Sequence, residues 1–107
     1  DIGQKTIQTT ERNIMLHNIG KYAAKPVIKL YGSGKLGCYI NGIHFIVSNV
    51  INSVTVDGDA MRVYSGAENK FDDFEGKYPQ FAVGSNAVSF TGEGFLSAQI
   101  IPGWCRL

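Results

Sequence analysis

A chain of 107 residues accommodates one domain and not two. Its 10 basic and 9 acidic side chains leave a net charge of +1, and the lysines (5, 21, 25, 29, 35, 70 and 77) are scattered as solvated surface charges, so the basic stripe of a nucleic-acid binder is absent. No apolar run reaches the ~18 residues of a membrane span, no signal-peptide pattern opens the chain, and two cysteines, Cys38 and Cys105, are too few for a disulfide scaffold and are expected as free thiols.

Helical periodicity is poor throughout, while Val, Ile, Thr, Tyr and Phe punctuated by 13 glycines make a strand composition. Thr6 to Leu16 includes a strand in which Ile14 and Leu16 alternate against Met15 and His17. Asn18-Ile19-Gly20 turns. Lys25 to Tyr31 is a strand with Val27, Lys29 and Tyr31 on one face and Ile28 and Leu30 on the other, and Gly32-Ser33-Gly34 turns again. The clearest local signal is Asn41-Gly42, flanked by Leu36 to Ile40 and Ile43 to Val47. A two-residue type I′ turn needs φ > 0 at both central positions, and Asn-Gly adopts it at low steric cost. That turn pairs Ile40 with Ile43, Tyr39 with His44 and Cys38 with Phe45. Ser53 to Val56 and Met61 to Tyr64 form a second hairpin around Asp57-Gly58-Asp59. Lys70 to Gly76 is acidic and aromatic, and its structure is left open. Tyr78-Pro79-Gln80-Phe81 is extended or turn-like. Asn86 to Thr91 and Phe95 to Ile101 are strands separated by Gly92-Glu93-Gly94, and Pro102 ends the last. Eight to ten short strands with turns every 8–12 residues predict an antiparallel all-β sandwich of jelly-roll type.

Chemistry is scarce in this frame. His17 and His44 lack the neighbouring ligands of a metal site. A Cys38–His44 dyad fails because the hairpin register makes the two diagonal at best. Asp57-Gly58-Asp59 opens like an EF-hand loop, but Met61 and Arg62 stand where a ligand and the obligatory glycine belong. Asp72, Asp73 and Glu75, around Phe71 and Phe74, read as a solvated loop, with weak calcium binding or the rim of a contact surface as alternatives. Gly32-Ser33-Gly34 lacks the remainder of a dinucleotide cradle. Tyr22, Tyr31, Tyr39, Tyr64, Tyr78 and Trp104 are spread over different elements, as core or rim residues or as two or three members of a sugar platform. No catalytic, cofactor-binding or metal-binding residue is assigned, no cofactor is expected, and the chain reads as a contact module and not an enzyme.

The order of its motifs adds to this. Asn18-Ile19-Gly20, Pro26, Gly32-Ser33-Gly34, Asn41-Gly42, Asp57-Gly58-Asp59, Tyr78-Pro79-Gln80-Phe81, Gly84-Ser85-Asn86 and Pro102 with Trp104 together resemble the C-terminal domain of the distal tail protein of siphophages and their prophages. The resemblance covers roughly residues 12–107. Gly103 departs from it, standing where relatives often carry a basic residue. It implies a galectin-like β-sandwich over residues 12–107, with residues 1–11 as the connection to a missing N-terminal domain that forms a hexameric ring. The start at Asp1 without a methionine agrees with a fragment, expected to be monomeric or weakly associated. The implied role is docking in the virion tail tip, assembled in the bacterial cytoplasm, with receptor-binding or baseplate proteins as partners. A carbohydrate-binding module for cell-wall polysaccharide is the alternative. Neither reading involves nucleic acid or membrane.

Overall fold

The computed structural model describes residues 6–18 and 22–102. Eleven strands occur among them: β1 Ile7–Thr9, β2 Asn13–Asn18, β3 Val27–Gly32, β4 Gly34–Ile40, β5 Ile43–Val50, β6 Ser53–Asp57, β7 Arg62–Ser65, β8 Glu68–Asn69, β9 Phe74–Gly76, β10 Gly84–Thr91 and β11 Phe95–Ile101. A single 3₁₀ turn, Phe71–Asp73, precedes β9. None of the described helices is long and apolar enough to cross a membrane.

The strands form two antiparallel sheets. One is ordered β1-β11-β3-β6-β7-β8 and the other β2-β10-β4-β5-β9. The strands β3, β6, β10 and β11 alternate as half-buried strands must, sending every second side chain between the layers. Ile28 and Leu30 of β3, Val54 and Val56 of β6, and Ala98 and Ile100 of β11 meet Leu36, Cys38 and Ile40 of β4, Phe45 and Val47 of β5, and Val88 and Phe90 of β10. Each of the larger side chains contributes roughly 1.5–3 kcal/mol on burial. The fold is thus the antiparallel all-β sandwich that the strand spacing predicts, and it agrees with the galectin-like sandwich that the resemblance implies.

Most of the predicted local features hold. Asn41 and Gly42 take φ of 53° and 87°, and Ile40↔Ile43, Tyr39↔His44 and Cys38↔Phe45 are the observed pairs. Ile28 and Leu30 face inward. Asp57 Oδ1 accepts hydrogen bonds from the backbone N–H groups of Asp59 at 3.0 Å and Ala60 at 2.9 Å, which shapes the second hairpin.

Three features go beyond the sequence reading. Thr6 to Leu16 yields two strands in opposite sheets, so β1, inside the segment read as a connection, is an edge strand paired with β11. The Lys70 to Gly76 stretch, left open above, supplies β9, which pairs with β5. The glycine clusters at 32–34 and 92–94 do not close hairpins. At each the chain crosses from one sheet to the other, β3 to β4 and β10 to β11. The crossings touch: a Cβ on Gly32 would collide with the Gly94 carbonyl, and one on Gly94 with the Ser33 carbonyl. Ile19, Gly20, Trp104 and Cys105 lie outside the described residues.

Candidate functional site

The alternation that buries the core aims the other side chains of the five-stranded sheet outward. Register places Asn13 against Ser89, Ser89 against Tyr39 and Tyr39 against His44. One row of polar and aromatic groups therefore runs across β2, β10, β4 and β5. The Tyr39 and His44 rings stack with centroids 4.8 Å apart and planes inclined by 19°. Beside them Met15 stands opposite Ala87, and Met15 is 68% exposed. Asn13, Met15, Tyr39, Ala87 and Ser89 line an open groove of about 500 Å³. No charged side chain lines it. An amide, a hydroxyl, a phenol and an aromatic surface suit a neutral, hydroxylated or peptidic partner.

The groove is held in shape from behind. Asn86 of β10 is fully buried. Its Oδ1 accepts from Asn41 Nδ2 and the Ala82 N–H, both at 2.8 Å. Its Nδ2 donates to the carbonyls of Ala82 at 2.9 Å and Gly84 at 3.0 Å. Asn41 completes the link, since its Oδ1 accepts from the Ala87 N–H at 3.0 Å. The hairpin tip is therefore tied to the strand that carries Ala87 and Ser89. Asn86 was legible only as part of a turn motif. The missed signal is its phase: Asn86, Val88 and Phe90 share the inward face, and a polar residue there must find partners.

Other sequence candidates do not assemble. His17 and His44 sit on β2 and β5, separated by β10 and β4. Among the described residues His17 reaches Ser85 Oγ, at 3.5 Å. Cys38 points into the core, away from exposed His44, and burial pushes its thiol up to about 12, so it stays protonated and unreactive. No group of three or more metal-binding side chains occurs among the described residues. Asp73 is occupied otherwise: its carboxylate pairs with Lys70 Nζ at 3.1 Å and accepts from Asn49 Nδ2 at 3.1 Å. Lys70, expected as a solvated charge, is instead buried and also donates to the Asn49 carbonyl at 3.0 Å.

The tyrosines are dispersed as well. Tyr31 donates to Gln99 Oε1 at 3.3 Å on the six-stranded sheet. Arg62 lies over Tyr64, 5.4 Å from the ring centroid. Tyr78 stacks on Phe74 at 4.6 Å, which in turn stacks on Phe45 at 5.9 Å. Tyr39 alone serves the groove.

A two-sheet antiparallel sandwich with an open, uncharged groove on one outer face defines the architectural class of this chain. Within that class, the chain is similar in structure to SPP1 Dit (gp 19.1), a protein described as a paradigm of the hub adsorption apparatus in phages that infect Gram-positive bacteria. The TM-score is 0.73 at 13% sequence identity, covering 90% of this chain and 44% of that one. This likeness establishes the shared fold. No family model and no curated protein matches the chain.

Proposed function

We propose that this chain is a docking domain of a phage or prophage tail-tip protein of the distal tail type, contributing to baseplate assembly and host attachment. The observation that carries the reading is the superposition of nearly the whole sandwich on under half of a hub protein of the adsorption apparatus. The ordered turn motifs support it independently. In this reading the partners are other tail proteins, and the domain works by contact without catalysis in a virion assembled in the bacterial cytoplasm. The test is immunogold electron microscopy of phage particles from the source strain, using antibody against the 107-residue chain. Label at the tail tip is expected. Label elsewhere on the particle, or none, overturns the reading.

The groove favours a second reading, recognition of cell-wall polysaccharide. Tyr39 offers an aromatic surface, while Asn13 and Ser89 supply neutral hydrogen-bonding groups. Fluorescently labelled chain is titrated onto walls of Gram-positive bacteria with and without free wall polysaccharide. Saturable binding, competed by polysaccharide and lost in Tyr39→Ala, establishes this second role. Absent binding by folded protein removes it and leaves docking to another tail protein.

A further inference from the structure

Among the described residues four strands stand at sheet edges, and they are unequal. β1 has three residues, β8 two, and β9 three that include Glu75 and Gly76. These are short or charged, the usual protections against edge pairing. β2 is the exception. It has six residues, Asn-Ile-Met-Leu-His-Asn, without Pro, Lys or any carboxylate.

The direction of its backbone groups follows from one hydrogen bond. The Phe90 N–H donates to the Arg12 carbonyl at 2.7 Å, and Arg12 continues the register that pairs Ser89 with Asn13. In an antiparallel ladder the bonding direction alternates from residue to residue. Ile14, Leu16 and Asn18 therefore bond towards β10. Asn13, Met15 and His17 direct their N–H and C=O groups to the open edge. On the other side of β10, the Asn41 N–H donates to the Ala87 carbonyl at 2.9 Å, the opposite parity, as this assignment requires.

The open edge is complementary to itself. An antiparallel copy centred on Met15 sets Met15 against Met15, Asn13 against His17 and Ile14 against Leu16. Outward side chains then meet outward ones and half-buried ones meet half-buried ones, because directly opposed residues share a face. All three edge-facing residues would join the ladder, giving about six backbone hydrogen bonds. No charge on the strand opposes the pairing, and a net charge of +1 gives little repulsion between copies.

We infer that β2 is a self-pairing edge: two copies of this chain associate antiparallel through β2, joining two five-stranded sheets into one continuous sheet that carries both neutral grooves on the same face. The test is sedimentation of the 107-residue chain from micromolar to millimolar concentration, alongside Met15→Lys and Met15→Pro. The Met15 N–H faces outward, so proline there removes no bond to β10. Lysine opposes two charges at the two-fold axis. Wild type is expected to dimerise, and both variants to weaken dimerisation at least tenfold while keeping the wild-type circular dichroism spectrum. Amide exchange gives a second readout: Met15 and His17 become protected as concentration rises, while Leu16 is protected throughout. A wild-type chain that stays monomeric across the range overturns the inference. So does a dimer that survives Met15→Lys, or Met15 and His17 amides protected in the monomer, which would mean that the chain covers its own edge.

Discussion

Two polar clusters brace this sandwich by different means. Around Asn86 every group is neutral, the side chain is fully buried, and both its amide atoms are engaged by the hairpin tip and the 82–84 backbone. Around Lys70 the groups are charged: a buried ammonium meets the Asp73 carboxylate, itself 30% exposed, and the Asn49 carbonyl. A neutral network is indifferent to pH and depends wholly on geometry. A charged one tolerates looser geometry but depends on protonation. The first cluster fixes the strand that carries the candidate groove, and the second ties β5 to the segment leading into β9.

The sharpest way to break this comparison is Asn86→Leu. It keeps the branched four-atom outline of the side chain, though with more bulk, and leaves the Ala82 N–H, the Asn41 amide and two carbonyls without their partner. We expect a loss on the order of 3 kcal/mol in urea unfolding. A loss under about 1 kcal/mol would show that the network carries little. Asn41→Gly comes next. Glycine satisfies the left-handed turn, so a purely conformational role predicts near-neutrality. The bonds to Asn86 and Ala87 predict about 1–2 kcal/mol, read from the same unfolding curves.

Lys70→Met keeps the buried stem and removes the ammonium. About 1 kcal/mol is expected, with the Asn49 carbonyl left unbonded and Asp73 still reached by water. The smallest effect is pH-dependent. The hydrogen bond from Lys70, and then that from Asn49, hold the Asp73 carboxyl below its ordinary value. Its contribution is therefore present above the unfolded-state value and lost as pH falls through the lower folded-state value. Unfolding midpoints compared between neutral pH and pH 3 should fall less in Asp73→Asn than in wild type. An equal acid limb in both would mean that this pair does not tie stability to pH.

The two clusters also mark what the sequence makes legible. Strand alternation at Ile28 and Leu30, the Asn41-Gly42 turn and its register are local, and each follows from residue chemistry over a few positions. Asn86 and Lys70 are not local in that sense. Asn86 is partnered across 45 residues of sequence by Asn41, and Lys70 across 21 by Asn49. Lys70 looked like every other lysine because nothing in its neighbours shows that the 3₁₀ turn folds it inward. The short strands β1, β8 and β9 were missed because two or three residues cannot display a period. The groove was legible in its parts but not in its assembly. Tyr39 and His44 were paired from the hairpin alone, whereas their alignment with Ser89 and Asn13 depends on a sheet order that no local pattern encodes.

The touching crossings at Gly32 and Gly94 have a consequence for how such a domain can diversify. Where backbone lies against backbone, a side chain has no room, and an inserted residue would pull the two layers apart. Those positions are closed to drift. The exposed tip at Gly66-Ala67 has no such close approach: a Cβ on Gly66 meets nothing, and only its left-handed φ favours glycine. Lineages that acquire new contact loops on this scaffold should lengthen it at that tip while the crossings keep their glycines.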